Sequence, residues 1–144
     1  MQVKDVMTTG VECVCPDTTL RTAAQKMKEL DVGPLPVCGD DDRLAGIITD
    51  RDIAVRAVAA GLDPDTAQVR DVMTPNIIYC FEDQEVSDAA HMMEQNQIRR
   101  LAVLNREKRL VGIFSLGDLA VDGGDEQLSG HTLEAISEPA MPHR

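Results

Sequence analysis

Apolar and polar residues follow one another along the first half of the chain in a pattern that predicts short strands and helices. Runs rich in apolar and β-branched residues predict strands over 11–15, 35–38 and 44–48. Apolar residues at helical spacing predict a helix over 20–30, after capping side chains at 17–19, and a second helix over 49–60, which Gly61 would end. Because Pro36 lacks an N–H, its strand is expected at a sheet edge or an irregularity.

The second half repeats this order. A turn at 69–73, matching a single helical turn predicted over 3–7, is followed by a strand over 77–81 and a helix over 85–96. Strands over 101–104 and 110–114 and a shorter helix over 116–121 complete the series, and an acidic tail with one candidate helix over 128–136 follows. Each half therefore predicts the order β-α-β-β-α.

The two halves are copies of one unit. Residues 3–55 align without a gap on residues 69–121, an offset of 66, and 18 of the 53 aligned positions are identical. Such a fixed-period match indicates duplication. We divide the chain into a first unit at 1–61, a linker at 62–68, a second unit at 69–122 and the tail at 123–144. The predicted fold class is α/β, with the bare sheet faces of the two units packed together as a pseudo-twofold pair.

Composition and charge exclude several classes of function. The formal net charge is −11, which opposes binding to a nucleic acid backbone. No apolar run approaches the roughly 20 residues that a membrane span requires, and the N-terminus does not resemble a signal peptide. We therefore expect a cytoplasmic protein that binds neither nucleic acid nor membranes. With one Tyr and two Phe, its core must be aliphatic.

The most distinctive motif closes each unit. The first copy reads Gly46-Ile47-Ile48-Thr49-Asp50-Arg51-Asp52 and the second reads Gly112-Ile113-Phe114-Ser115-Leu116-Gly117-Asp118. Together with the opening Asp-Val-Met-Thr and the Leu-Pro-Val strand, this motif resembles the CBS domain, named after cystathionine β-synthase. The resemblance covers about residues 3–121. The chain is similar to small bacterial proteins that consist of one CBS pair, or Bateman module, a group that includes hypoxic-response proteins.

The resemblance implies binding of an adenosyl ligand such as AMP, ATP or S-adenosylmethionine, with no cofactor required. It implies that Thr49 or Ser115 lies near phosphate and that Asp52 or Asp118 binds ribose, in sites shared between the units. One site would combine Ser115 and Asp118 with the residues Val11, Glu12, Val32, Gly33 and Pro34. The other would combine Thr49 and Asp52 with the residues Ile77, Ile78, Ile98, Arg99 and Arg100. Helix N-termini with free N–H groups suit phosphate, and a carboxylate suits the ribose hydroxyls.

A structural interpretation of the same motif stays open. Thr-x-x-Asp and Ser-x-x-Asp before an apolar helix are also capping boxes, which need no ligand. The site with Thr49 looks better suited to an anion, because Arg51, Arg99 and Arg100 could offset the negative charge. The site with Glu12 and Pro34 suits a neutral or cationic ligand.

The cysteines and histidines predict neither a zinc site nor catalysis. There is no C-x-x-C pair, the three histidines are scattered, and no nucleophile is spaced to meet a base. Each cysteine is expected to be a small buried hydrophobe. In the predicted fold Cys13 and Cys38 lie on neighbouring strands, so a disulfide is an alternative, although reduced thiols are favoured in the cytoplasm.

The sequence thus predicts a non-catalytic regulatory module that binds an adenosyl ligand. The alternative is a ligand-free dimeric interaction or scaffold protein, with a redox response through Cys13 and Cys38 as a further variant. The resemblance also implies a homodimer, since CBS pairs commonly associate through their helices, here those after Thr49 and Ser115. A protein partner is expected but its identity is not encoded in any motif.

Overall fold

The computed structural model describes residues 1–75 and 77–122, and the helix predicted over 128–136 lies outside them. The first repeat contains α1 (Leu20–Leu30), β1 (Pro34–Cys38), β2 (Leu44–Thr49) and α2, which is α-helical over Asp50–Asp52 and continues as a π-helix over Ile53–Val58. The second contains β3 (Thr74–Pro75), β4 (Tyr79–Phe81), α3 (Val86–Asn96), β5 (Arg100–Leu104), β6 (Leu110–Ser115) and α4 (Leu116–Asp122). No helix among these is long and apolar enough to cross a membrane.

The strands form two three-stranded sheets, in the orders β1-β2-β3 and β4-β5-β6. The mixed α/β class and the duplicated unit are therefore confirmed. In the first sheet, β2 pairs antiparallel with both β1 and β3, and in the second, β4 pairs parallel with β5. The strand predicted over 11–15 is wrong, because Val14 forms only an isolated parallel bridge with Val37. Pro36 lies in the outer strand β1, as its missing N–H requires.

The two compact units do not coincide with the linear division that the repeat predicts. Of the described residues, one unit comprises Met1–Val11, Ile78–Glu107 and those from Val111 to Asp122, and the other comprises those within Glu12–Ile77 together with Lys108–Leu110. The opening segments are therefore exchanged between the repeats. We call the first of these units the N-terminal-strap unit, because it contains residues 1–11, and the second the α1 unit.

Equivalent hydrogen bonds hold both exchanged segments. The Val3 N–H donates to the Gln84 carbonyl at 2.9 Å, and the Val69 N–H donates to the Thr18 carbonyl at 2.8 Å. Each segment begins with a short 3-10 helix, Val3–Asp5 or Val69–Asp71. The Asp carboxylate at the end of each helix accepts a hydrogen bond from the N–H of the Gln before it, at 2.9 Å and 2.8 Å. The offset of 66 residues relates every one of these contacts to its counterpart.

Each unit has its own aliphatic core. In the N-terminal-strap unit, Phe114, Met93 and Leu101 are fully buried together with Val3 from the exchanged segment. In the α1 unit, Leu20, Leu35 and Ile48 are buried together with Val69 from the other exchanged segment. Burial of one valine side chain contributes about 1.5–3 kcal/mol, so each exchanged segment is fixed by apolar packing as well as by hydrogen bonds.

Candidate functional site

The first closing motif forms the junction between β2 and α2. The Thr49 side-chain oxygen accepts a hydrogen bond from the Asp52 N–H at 3.0 Å, and Asp52 Oδ2 accepts one from the Thr49 N–H at 3.0 Å. This reciprocal pair is a capping box, which satisfies N–H groups that the start of a helix leaves unpaired. The capping interpretation of the motif is therefore confirmed at this position.

The second closing motif repeats this geometry between β6 and α4. Asp118 Oδ2 accepts hydrogen bonds from the Ser115 N–H at 2.9 Å and from the Ser115 hydroxyl at 3.0 Å. In return, Ser115 Oγ accepts from the Asp118 N–H at 3.1 Å. A third donor comes from the exchanged opening segment, since the Thr8 hydroxyl lies 3.3 Å from Asp118 Oδ1. Both oxygens of Asp118 are thus already engaged.

The two motifs differ in the hydrogen bonds they can still make. A carboxylate offers about four lone-pair sites, and Asp118 has three of them occupied by the donors described above. Asp52 accepts one hydrogen bond on Oδ2, and its Oδ1 faces only the Arg56 Nε at 3.8 Å. The Ser115 hydroxyl proton is used on Asp118, whereas no described residue accepts the Thr49 hydroxyl proton. The Thr49–Asp52 motif therefore retains both a donor and acceptor capacity.

The helix start at the first motif has little capacity left for phosphate. The Asp50 N–H donates to the Gly33 carbonyl at 3.1 Å, and the Arg51 N–H donates to Asp50 Oδ1 at 2.9 Å. With the Asp52 N–H on Thr49, the first three backbone donors of α2 all have acceptors. The expectation of free N–H groups is wrong here, and side chains must supply any phosphate contact.

Each closing motif lies beside the start of the preceding strand of its own unit. Pro34 is paired with Thr49 in the β1–β2 register, and an added Cβ on Gly33 would lie 3.1 Å from Asp50 Oδ1. In the N-terminal-strap unit the Leu116 N–H donates to the Arg99 carbonyl at 2.9 Å. Gly33 and Pro34 therefore lie beside Thr49, and Arg99 lies beside Ser115. The resemblance instead assigns Gly33 and Pro34 to the site with Ser115, and Arg99 to the site with Thr49.

The remaining predicted site residues are divided between the units. The α1 unit contains Glu12, Val32 and Ile77, and the N-terminal-strap unit contains Val11, Ile78, Ile98 and Arg100. Val32 and Ile78 are 40% and 41% exposed, which is unusual for large apolar side chains. The assignment of residues from both units to one ligand stays a prediction of the resemblance.

Two polar residues that contact the closing motifs, Thr8 and Arg56, were not among the residues predicted from the sequence. Thr8 reaches Asp118, and Arg56 faces Asp52 while donating from Nη1 to the Val72 carbonyl at 3.2 Å. Thr8 belongs to the duplicated Asp-Val-Met-Thr, so its repetition was a visible signal, but its contact lies 110 residues away in the chain. Arg56 follows Asp52 by one helical turn, a spacing that indicates an ion pair.

The cysteines lie in three different environments. All four are free thiols, with Cys38 and Cys80 buried, Cys13 half-buried and Cys15 exposed. The expectation that each is a buried hydrophobe is therefore wrong for Cys15. Burial raises the pKa of the Cys80 thiol to about 12. Within residues 1–75 and 77–122, no three His, Cys, Asp or Glu side chains are arranged to hold a metal ion.

These features define a class of protein: a tandem α/β repeat in which a hydroxyl–carboxylate pair closes each copy. The sequence model of the CBS domain family matches residues 3–58 and 69–121. The chain belongs to the CBS domain family. Proteins that consist of CBS pairs are generally regulatory and non-catalytic.

Relatives and solved structures support this assignment. Hypoxic response protein 1 of Mycobacterium tuberculosis is 46% identical over 117 residues, which cover 81% of each chain. A crystal structure of hypoxic response protein I with two coordinated zinc ions has a TM-score of 0.77 and 43% identity, and covers 85% of this chain and 98% of its own.

Two more distant structures contain adenosyl compounds. CBSX2 in complex with AMP has a TM-score of 0.70 and 27% identity, with 83% of this chain and 93% of that chain covered. A CBS domain pair in complex with 5′-methylthioadenosine and S-adenosyl-L-methionine has a TM-score of 0.72 and 27% identity, with coverage of 86% and 100%.

Proposed function

We propose that this protein is a non-catalytic regulatory module that binds an adenosyl ligand at its closing motifs, and that the Thr49–Asp52 motif is the principal site. The observation that carries the proposal is the unequal use of the two carboxylates. Asp118 has three hydrogen-bond donors, whereas Asp52 has one donor and a single long contact to Arg56. The ligands of two similar CBS pairs support the adenosyl class.

A ribose diol requires two acceptor positions on one carboxylate, and Asp52 has that capacity. Its contact with Arg56 does not block the site strongly, because the Arg56 side chain is 55% exposed and such exposed ion pairs contribute about 0–1 kcal/mol. The Thr49 hydroxyl can donate to a further ligand oxygen. The motif therefore combines a donor and two acceptors within one turn of helix.

The charge around this motif favours an adenosyl ligand without a polyphosphate. Asp50 and Asp52 are opposed by Arg51 and Arg56, so the local charge is close to balanced, and the whole chain has a net charge of −11. The backbone donors at the start of α2 are already used. We therefore expect AMP and S-adenosylmethionine to bind more tightly than ATP.

The test is calorimetric titration of the purified protein with AMP, ATP and S-adenosylmethionine, using a matched pair of variants. Asp52→Asn keeps an oxygen that can accept from the Thr49 N–H but loses one acceptor for the ribose. Asp118→Asn is the same change at the equivalent position of the other repeat. We expect Asp52→Asn to weaken binding roughly 10- to 100-fold, and Asp118→Asn to change it less than about threefold.

Thermal unfolding of both variants separates loss of binding from loss of structure, since both affect a capping box. If both variants weakened binding equally, Asp52 would not be the preferred site, but the proposal that the protein binds an adenosyl ligand would stand. No heat and no thermal shift with any of the three compounds would contradict the function itself. The closing motifs would then be helix caps alone.

We also propose that the protein forms a homodimer through the outer face of α2. Val55 and Val58 are 53% and 70% exposed and lie three residues apart in the π-helical part of α2. Paired exposed valines on a helix favour self-association.

Light scattering at micromolar concentration should show a dimer, and Val58→Glu should shift it to a monomer. Glu29→Gln, on the exposed side of α1, should leave the dimer unchanged. A wild-type monomer would contradict this proposal and the scaffold alternative with it.

A further inference from the structure

Arg56 is held beside the Thr49–Asp52 motif by a contact with the exchanged opening segment of the second repeat. Its Nη1 donates a hydrogen bond to the Val72 carbonyl at 3.2 Å. Val72 is 3% exposed and belongs to the core of the α1 unit. Because the acceptor is the backbone of a buried residue, the long arginine side chain is directed to one place beside the motif.

The guanidinium of Arg56 keeps hydrogen-bonding capacity for a ligand. Its Nε lies 3.8 Å from Asp52 Oδ1, which is too far for a hydrogen bond. An arginine side chain has several N–H donors and is always charged. Within residues 1–75 and 77–122, the Val72 carbonyl is the one acceptor bound to them. The side chain is also 55% exposed, so the remaining donors are accessible.

Thr49, Asp52 and Arg56 place three polar groups in a row. The Thr49 side-chain oxygen is 3.0 Å from the Asp52 N–H, and the carboxylate of Asp52 is 3.8 Å from the guanidinium of Arg56. Arg56 lies in the π-helical part of α2, Ile53–Val58. Such helical segments are rare and occur frequently at functional sites. A hydroxyl, a carboxylate and a guanidinium therefore follow one another beside an irregular part of the helix.

A nucleoside monophosphate can bind the last two of these groups at once. Its ribose hydroxyls donate to the Asp52 carboxylate, and its phosphate is attached to the same ribose, so it stays close to a guanidinium that lies 3.8 Å from that carboxylate. The contact between Asp52 and Arg56 that the ligand replaces is an exposed ion pair, and such pairs are weak. The ligand supplies charge-assisted hydrogen bonds to both groups in its place.

We propose that Arg56 binds the phosphate of a nucleoside monophosphate at the Thr49–Asp52 motif and thereby determines which adenosyl ligand is preferred there. This inference rests on the function proposed above. The first backbone N–H groups of α2 already have acceptors, so a side chain must bind the phosphate. One planar guanidinium matches a single phosphate group in a bidentate arrangement. AMP is therefore preferred at this motif over adenosine and over S-adenosylmethionine, which have no phosphate.

The test compares AMP with adenosine, which differ only in the phosphate, by calorimetric titration of the full chain. We expect the wild type to bind AMP roughly 5- to 20-fold more tightly than adenosine. Arg56→Gln removes the charge and should weaken AMP binding by about the same factor, while adenosine binding changes less than about twofold. Arg56→Lys keeps the charge without the planar guanidinium and should give an intermediate affinity for AMP.

Arg70→Gln is the matched control, because it makes the same charge change at an exposed arginine of the same unit. It should change AMP binding less than about twofold. Equal weakening of AMP binding by the Arg70 and Arg56 variants would indicate a general effect of net charge and would overturn the inference. A larger loss in Arg51→Gln than in Arg56→Gln would assign the phosphate to Arg51 instead and would overturn it as well.

Adenosine also separates a phosphate contact from a structural role. If Arg56→Gln weakened AMP and adenosine binding equally, Arg56 would act on Asp52 or on the fold, and the inference would be wrong. The wild-type comparison needs no variant, so it does not depend on whether a substituted protein folds. Equal wild-type affinities for AMP and adenosine would overturn the inference and leave adenosyl binding in place. Binding of neither compound would contradict the function proposed above, and this inference with it.

Discussion

The Thr8 hydroxyl donates a hydrogen bond to Asp118 Oδ1 at 3.3 Å and joins the opening segment of the chain to its last closing motif. The backbone reinforces this contact, since the Thr8 N–H donates to the Ile113 carbonyl at 2.9 Å and the Ile113 N–H donates back at 3.0 Å. An opening segment and a closing motif that lie at opposite ends of the described chain therefore form one structural element. The contact also engages an Asp118 oxygen that would otherwise be open to a ligand.

Thr8→Val should destabilise the protein by about 0.5–1.5 kcal/mol, because it removes this hydrogen bond and keeps the shape of the side chain. Urea unfolding measures the change, and Thr9→Val, an exposed neighbour, is the control. If the interpretation of Asp118 is correct, Thr8→Val should also strengthen adenosyl binding at the Ser115 motif. Equal effects of the Thr8 and Thr9 variants on stability would contradict the role of the hydroxyl.

Gly46 and Gly112 should tolerate no side chain. A Cβ on Gly46 would clash with the Thr74 carbonyl oxygen, and one on Gly112 would lie 2.7 Å from the Thr8 carbonyl oxygen. Both contacts are with the backbone of an exchanged opening segment, which must then move. Each Gly→Ala substitution should destabilise the protein by about 1–3 kcal/mol in urea unfolding.

Gly39→Ala is the control for these two variants, because its nearest atom would be 4.0 Å away. It should change stability by no more than about 0.5 kcal/mol. Loss of stability at Gly39 as large as at Gly46 would indicate a general effect of replacing glycine. The proposed cause, close approach of the opening segment to each sheet, would then be wrong.

Asp31→Gly should stabilise the protein. Asp31 ends α1 in the left-handed conformation with φ of 54°, where its N–H donates to the Lys28 and Met27 carbonyls. Glycine adopts this conformation without the steric cost that a Cβ imposes, so we expect a gain of about 0.5–1 kcal/mol. Glu29→Gly, two residues earlier inside the helix, should instead destabilise by about 1 kcal/mol. If Asp31→Gly and Glu29→Gly changed the free energy of unfolding in the same direction, this explanation would be excluded.

The stability of the protein should decrease between pH 9 and 12 in part because of Cys80. Burial raises the pKa of this thiol from 9.0 to about 12. Above pH 9 the unfolded chain loses the Cys80 proton while the folded chain keeps it, so stability falls as pH rises, by up to about 1.4 kcal/mol per pH unit for this group. Below pH 9 both states keep the proton, and the contribution is constant.

Cys80→Ala removes this titration, so denaturant unfolding should show a shallower decrease for the variant than for the wild type over that range. The variant is expected to be less stable at pH 7, because it leaves a small cavity. The slope against pH, rather than the absolute stability, is the measurement that decides. Parallel slopes for the two proteins would contradict the raised pKa.

Much of the fold could be predicted from local patterns. The capping residue Thr19 accepts from the Thr22 N–H at 3.3 Å, and α1 covers the predicted residues 20–30. Within the described residues the helices and most strands begin and end within about two residues of their predicted bounds. The strand predicted over 11–15 does not form, because its sequence is β-like but only Val14 pairs with a strand residue, Val37. Pairing depends on an available edge, which the residues themselves do not specify.

The candidate site was predictable only in part. The Thr-x-x-Asp and Ser-x-x-Asp spacings identified the four residues of the capping boxes, because such boxes form within one helical turn. The difference between the two carboxylates was not visible, since it depends on Thr8 and Arg56. The exposure of Cys15 against the burial of Cys38 was equally hidden, because both follow apolar residues in β-like segments.

The sequence by itself determined that the chain contains two copies of one α/β unit, with a hydroxyl–carboxylate pair closing each copy. Periodicity and repetition are visible in the sequence itself, so they can be recognised without knowledge of long-range contacts. Only the tertiary structure decided where the opening segments lie. Both segments contain the same Asp-Val-Met-Thr, so the local pattern does not distinguish which repeat each segment joins. Their positions depend on contacts between residues far apart in the chain, as when Val3 packs in the core that contains Phe114 and Val69 packs in the core that contains Ile48.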